Sequence, residues 1–265
     1  MAGAIAAGHP LSARAGADVL AAGGGAVDAL VAAACAAFVA EGPLTGPAGG
    51  GFLLHRAAGG ATVVLDCFFA VPSRPAAEME EVVIDFEDAS TQTFHVGPES
   101  VAVPGLLAGL AEAHRRWGRL PWPELVRPAI QLARAGLEPS DAQRFLHQIL
   151  VPILQREEGG RRVYGDPDRL HTEELVPALE RLRDDGAGAL AELLPELAAD
   201  LAAYRVEERE PLRATYRGAE VLATPPPSLG GAVVCAALAE LDADDTPASL
   251  PRAIARAYGG RGASP

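Results

Sequence analysis

"GHPLSARAGADVLAAGGGAVDALVAAACAAFVAEG", Gly8 to Gly42, sets two helices in immediate succession, and the fold follows from how they differ. In the first, Pro10 stands where a helix tolerates a residue without an N–H. Leu11, Ala15, Val19 and Leu20 recur at helical spacing, and Gly23-Gly24-Gly25 stop the helix. The second begins at once and is apolar on nearly every side, which predicts a helix buried between layers. Its most apolar run, Ala26 to Ala40, carries Asp28 and falls short of the ~20 residues a membrane span needs.

Downstream the pattern changes to short strands. "GPLTGPAGGGFLLHRA" is a Gly- and Pro-rich loop leading into a strand at Phe52 to His55, and "GGATVVLDCFFAVP" supplies a glycine turn and a β-branched partner strand. "EVVIDF" and "QTFHVG" read as a second strand pair around the polar loop Glu87 to Thr91. "SVAVPGLLAGLAEAHRRWG" reads as strand, turn at Pro104-Gly105, then helix. "LPWPELVRPAIQLARAGL" is a helix entered through prolines and closed by Gly136, and Ser140 N-caps the next. From Tyr164 to Asp200 the chain is charged and helical; "REPLRATYRGAEVLATPPPSLGG" is strand-like, and "GAVVCAALAELDA" reads as a last buried helix. The tail "RAIARAYGGRGASP" ends like the opening of a loop. Helices first and strands paired locally favour a layered α/β or α+β domain over a Rossmann alternation.

Composition narrows the function. The 265 residues suffice for one large domain or two small ones, and 49% are hydrophobic, enough for a sizeable core. The formal net charge of −13 excludes the basic footprint that nucleic acid requires and disfavours an anionic membrane surface. The N-terminus shows no basic region followed by an apolar one, so a cytoplasmic protein is expected. Cys35, Cys67 and Cys235 are widely spaced and read as buried small hydrophobes.

No motif carries a complete reaction. "GPAGGGF", Gly46 to Phe52, lacks the Lys-Ser/Thr of a phosphate loop; it is either a tight loop letting backbone pass close to another element or the backbone wall of a pocket. His9, His55, His95, His114, His147 and His171 show no metal-binding spacing, and there is no Gly-x-Ser-x-Gly elbow. "HTEE" and "RDDG" read as solvated helix faces. Cys67 has no basic neighbour in sequence to lower its pKa and reads as a spectator rather than a nucleophile.

Several segments in order resemble the large-subunit half of the γ-glutamyltranspeptidase family. They are "AAGHPLSARAGADVLAAGGGAVDALVAAA", "GPLTGPAGGGFLL", "SVAVPGLLAGLAEAHRRWGRLPWPELVRPAIQLARAG", "AAYRVEEREPLRATYRG" and "TPPPSLGG", together covering most of Gly3 to Ala237. The resemblance implies an α+β fold, the four-layer αββα sandwich of N-terminal-nucleophile hydrolases, with residues 1–265 as a single-domain large subunit completed by a second chain. It implies a precursor that cuts itself before a threonine, which then serves as nucleophile with its own α-amine as base. On that reading Pro265 is the cleavage-site end, and no catalytic residue lies in this chain. The implied partners are the small subunit and a small-molecule substrate; a dimer of such heterodimers is also allowed. No cofactor or metal is implied.

The departures from the family concentrate at "LDCFFAVP", Leu65 to Pro72. The family has an Arg-Glu pair in an "LDxRExAP" segment, whose arginine grips the α-carboxylate of the glutamyl group. Phe68 stands at the arginine's position and Phe69 follows, so the resemblance makes both substrate-binding residues. Phenylalanine makes no carboxylate fork, and a carboxylate buried against it would remain unpaired. Glutathione should then be a poor substrate unless another arginine, such as Arg74, reaches in. Gly25 replaces a family Asn, Leu229 a second Ser, and the stretch after Gly230 is short. Three functions fit: an amide hydrolase with a non-glutamyl acyl donor, a C–C bond hydrolase in biosynthesis of an alkylproline-containing antibiotic, and a non-catalytic scaffold.

Overall fold

Pro10 does start the first helix. In the computed structural model, which describes residues 3–73, 78–86, 90–243 and 249–259, His9 caps this helix by accepting from the Leu11 N–H at 3.2 Å. Arg74, residues 87–89 of the loop after "EVVIDF" and Pro265 all lie outside the described residues. Along the chain the elements are α1 (Pro10–Ala21), α2 (Ala26–Ala40), β1 (Gly51–Arg56), β2 (Thr62–Cys67), β3 (Glu80–Asp85), β4 (Thr91–Val96), α3 (Leu106–Trp117) and α4 (Trp122–Ala135). Then come α5 (Asp141–Ile149), α6 (Val151–Leu154), α7 (Glu158–Tyr164), α8 (Val176–Asp185), α9 (Ala189–Leu193), α10 (Ala198–Ala203), β5 (Glu207–Arg209), β6 (Leu212–Tyr216), β7 (Ala219–Ala223), α11 (Leu229–Ala243) and α12 (Ser249–Gly259).

The chain forms two units, residues 1–50 with 68–205, and residues 51–67 with 206–265. In the first, the α1 stop is chemically explicit. The Gly23 N–H donates to Leu20 O and the Gly24 N–H to Val19 O, a Schellman closure that Gly23 permits at φ 93°. The next helix needs a new anchor, because Gly25 has no side chain with which to cap it. Asp28 supplies it, with Oδ2 accepting from the Gly25 N–H at 2.7 Å. The same fully buried carboxylate accepts the Arg119 N–H at 2.9 Å and the Leu120 N–H at 3.5 Å, tying the start of α2 to the turn between α3 and α4.

As its all-round apolarity predicts, α2 is buried along most of its length, with Val31, Ala32, Cys35 and Ala40 fully so. It packs against α1, α3 and α4, whose inward residues Leu107, Leu110, Leu125, Val126 and Ile130 complete this core. Burial of each such side chain contributes about 1.5–3 kcal/mol. The Trp122 indole N–H donates to Leu182 O at 2.9 Å, and the Thr172 hydroxyl donates to Ala133 O at 3.0 Å, holding the charged helical segment to α4. Thr172 is therefore buried, which corrects the reading of "HTEE" as a wholly solvated face. The segment before α3 is also not a strand: Val103 makes a single two-residue bridge with Ala70, and Pro98–Ser100 is a short 3-10 turn. β3 and β4 pair antiparallel from Glu80↔Val96 to Asp85↔Thr91, as the alternation predicts.

In the second unit β1, β2 and β5 form an antiparallel sheet in that order, with Leu53 opposite Leu65 and Asp66 opposite Glu207. The hairpin β6–β7 packs on α11, and α11 on α12 through Ala237, Leu241 and Ala253. One expectation fails here. α11 is half-exposed, with Leu229 at 63% and Val234 at 48%, because among the described residues only one of its apolar faces is covered. The following segment "SLPRAIARAYG" is helix, with Leu250, Ala253, Ile254, Ala257 and Tyr258 at helical spacing, and the loop-like ending of the tail lies outside the described residues.

Candidate functional site

The segment "LDCFFAVP" spans a change of environment. Its first part belongs to β2, where Val64, Leu65, Asp66 and Cys67 are all buried. Asp66 accepts from Arg209 Nε at 2.7 Å, which pins β2 to β5 by a charge-assisted contact. The Cys67 thiol donates to Gly51 O at 3.2 Å. Burial first, and the adjacent Asp66 charge second, push its pKa up to about 11, so the thiolate a nucleophile needs is disfavoured. Burial pushes Cys35 up to about 12. Cys235 is partly exposed. A thiol reagent at pH 8 is therefore expected to label Cys235 alone in the folded chain and all three cysteines after unfolding. Intact mass checks this, and two labels on the folded chain would contradict it.

Beyond Cys67 the side chains turn outward. Phe68 is 42% exposed and Phe69 44%, and the two rings meet edge to face at 5.1 Å between centroids and 67° between planes. The Phe69 ring lies on Gly50. A Cβ at residue 50 would sit 3.0 Å from the Phe69 nitrogen and 3.1 Å from its ring, so any larger residue there would press on the backbone and ring of Phe69. The Gly-rich loop is itself fastened, with the Gly49 N–H donating to Gly46 O at 2.9 Å and the Leu106 N–H to Gly49 O at 3.0 Å. Of the two readings of "GPAGGGF", the close backbone approach is thus realised, and it brings that motif against Phe69.

Three further contacts fix the segment. Ala70 and Val103 exchange backbone hydrogen bonds at 3.0 and 2.9 Å. The Tyr204 hydroxyl donates to Phe68 O at 2.7 Å, and Asp200 accepts from the Ser73 N–H at 3.1 Å. Neither Tyr204 nor Asp200 was singled out by sequence; the only signal was that Tyr204 falls in "AAYRVEE", one of the stretches carrying the family resemblance. The adjacent Arg205 turns its guanidinium back onto Ala202 O and Tyr204 O at 2.9 and 2.7 Å. The arrangement presents an aryl surface on a fixed backbone. It suits an apolar group and offers no guanidinium from position 68.

Among the described residues no group of three or more His, Cys, Asp or Glu is placed to hold a metal ion. No described helix is long and apolar enough to cross a membrane.

Comparison with known proteins places these features. The family model for gamma-glutamyltranspeptidase matches residues 12–253. The acylase ACY 1 proenzyme of Pseudomonas sp. (strain SE83) is 37% identical over 254 residues, covering 84% of this chain and 44% of that protein. The glutathione hydrolase proenzyme of Pseudomonas aeruginosa is 34% identical over 250 residues, covering 86% and 44%. The chain thus spans less than half the length of these relatives. The crystal structure of Helicobacter pylori gamma-glutamyltranspeptidase superposes with a TM-score of 0.82 at 25% identity, covering 99% of this chain and 84% of that one. The α+β fold of the N-terminal-nucleophile hydrolases expected from the sequence is the fold shared with that structure. The chain belongs to the gamma-glutamyltranspeptidase family.

Proposed function

We propose that this chain is the large-subunit half of a self-processing hydrolase of the gamma-glutamyltranspeptidase type, acting on an amide whose acyl group lacks the glutamyl carboxylate handle. The observation that carries this reading is the exposed Phe68–Phe69 pair at the position of the family's Arg-Glu pair. The names of the relatives support it: the matched proteins are proenzymes, and one is an acylase.

In this scheme the second half of the precursor supplies an N-terminal threonine. Its hydroxyl attacks the amide carbonyl while the α-amine takes the proton. The C–N bond breaks, the amine leaves protonated, and water then hydrolyses the threonine ester. The contribution of this chain is positioning. Phe68 and Phe69 bury the apolar part of the acyl group, which is favourable by about 25 cal/mol per Å² of apolar surface removed from water. The same wall would strand a carboxylate without a partner, at roughly 1–3 kcal/mol or more. Discrimination therefore comes from attraction of one donor and desolvation of the other.

The test uses the full precursor, purified after self-cleavage, with phenylacetyl-p-nitroanilide and γ-glutamyl-p-nitroanilide. The apolar donor is expected to have the larger kcat/KM by at least about tenfold, equivalent to 1.4 kcal/mol. Preferential turnover of the γ-glutamyl donor overturns the specificity. A precursor that stays uncut, with no threonine-initiated fragment by mass, overturns the self-processing enzyme altogether and favours the scaffold.

A further inference from the structure

The segment that carries Phe68 and Phe69 has left β2, and beyond the Ala70–Val103 bridge it has no strand partner among the described residues. Val71 within it is 91% exposed. Yet its two ends are held from one place, the C-terminal turn of α10. Tyr204, the residue capping that helix, donates its hydroxyl to Phe68 O at 2.7 Å. Asp200, one turn earlier, accepts the Ser73 N–H at 3.1 Å. The Tyr204 N–H in turn donates to Asp200 O at 2.8 Å, so the two clamping residues belong to one rigid turn.

We infer that Tyr204 is a positioning residue for acyl-donor specificity: its hydroxyl, with Asp200, clamps the "FFAVPS" segment so that the Phe68 and Phe69 rings form one aryl surface. This rests on the proposed reading of that surface as the acyl-donor wall. The physical argument is one of pre-organisation. Without the two contacts from α10, the ends of a segment fastened at its middle by the Ala70–Val103 bridge and the Phe69–Gly50 contact would sample more backbone states. A ring pair shared among those states presents less apolar surface to a ligand. The phenolic hydrogen bond is directed at the carbonyl of residue 68 itself, so its loss acts first on the direction of that side chain. Asp200 acts five residues further on and limits the far end. Tyr204 does not touch the acyl group in this scheme; it acts through Phe68.

Tyr204→Phe removes one hydroxyl and keeps the ring. In the self-cleaved full-length protein, KM for phenylacetyl-p-nitroanilide is expected to rise about three- to tenfold, the span given by a net hydrogen bond of ordinary strength, with kcat within twofold. Acetyl-p-nitroanilide, too small to use the aryl wall, should keep both constants. In a Phe68→Ala, Phe69→Ala background the Tyr204→Phe change should have no further effect on either donor. A second readout needs no turnover. With para-fluorophenylalanine incorporated, the fluorine signals of positions 68 and 69 should shift or broaden in Tyr204→Phe while that of Phe145 stays fixed.

Unchanged signals at 68 and 69 overturn the inference whatever the kinetics. Shifted signals with equal losses for both donors reduce Tyr204 to a structural residue and also overturn it. Shifted signals in a protein that hydrolyses neither donor uphold the clamp and reject the acyl-amide reading instead. Asp200→Ala provides the parallel variant if Tyr204→Phe fails to fold. It is expected to disturb the signal of Phe69 without a change at Phe145, and an unchanged Phe69 signal overturns the clamp.

Discussion

Replacing Asp28 with alanine is expected to lower the melting temperature by about 10 °C. The carboxylate is fully buried and accepts three backbone N–H groups, from Gly25, Arg119 and Leu120. Truncation leaves these donors facing a small void. An unpaired buried donor costs roughly 1–3 kcal/mol, and partial hydration of neighbours on one turn keeps the total near 3 kcal/mol. For a chain of this size about 1 kcal/mol moves the midpoint by roughly 2–4 °C. Asp28→Asn keeps an acceptor oxygen but turns an NH₂ toward the donors, so it should fall between wild type and alanine. Thermal unfolding followed by circular dichroism decides the matter. A shift under 2 °C for Asp28→Ala would mean that the turn between α3 and α4 holds α2 by other means.

The same residue shows what the sequence made legible. The boundaries of α1 and α2 could be read because their signals are local: a proline at the start, a glycine stop, an unbroken apolar run. Likewise Ser140 and Gln143 form a reciprocal cap within four residues, and Gly136 ends α4 at φ 72°. The hairpins were legible from alternation and turn glycines. What Asp28 binds at Arg119, 91 residues away, was not, since its partners are backbone N–H groups that any residue type would supply. Tyr204 and Phe68 O escape for the same reason, at a separation of 136 residues. The half-exposure of α11 was missed because apolarity all round predicts burial, whereas among the described residues only one face of the helix is covered. The site was legible only as a departure: two phenylalanines are unremarkable until set against a pattern that places a guanidinium there.

Converting Phe68 to arginine is expected to change donor choice in the assembled enzyme. kcat/KM for γ-glutamyl-p-nitroanilide should rise about 10- to 100-fold, the range of one to two charge-assisted hydrogen bonds at roughly 1.5–3 kcal/mol. The substitution is physically permitted at this place. Residue 68 is 42% exposed, so a guanidinium can remain hydrated in the free protein and incurs no buried-charge penalty. Its backbone is held by Tyr204, and Ala70 by Val103, independently of the side chain. The net charge of −13 makes an added cation a modest gain rather than a cost to stability. The phenylacetyl donor should lose affinity at the same time, because half of the aryl pair is gone while Phe69 stays on Gly50. Phe68→Gln separates the two effects: it should weaken the apolar donor as arginine does, without the gain for the glutamyl donor. The gain should also shrink as ionic strength rises, since the site is open enough for screening to reach it. If Phe68→Arg leaves both donors within twofold of wild type, residue 68 does not face the acyl group, and the aryl pair belongs to some other contact of the folded enzyme.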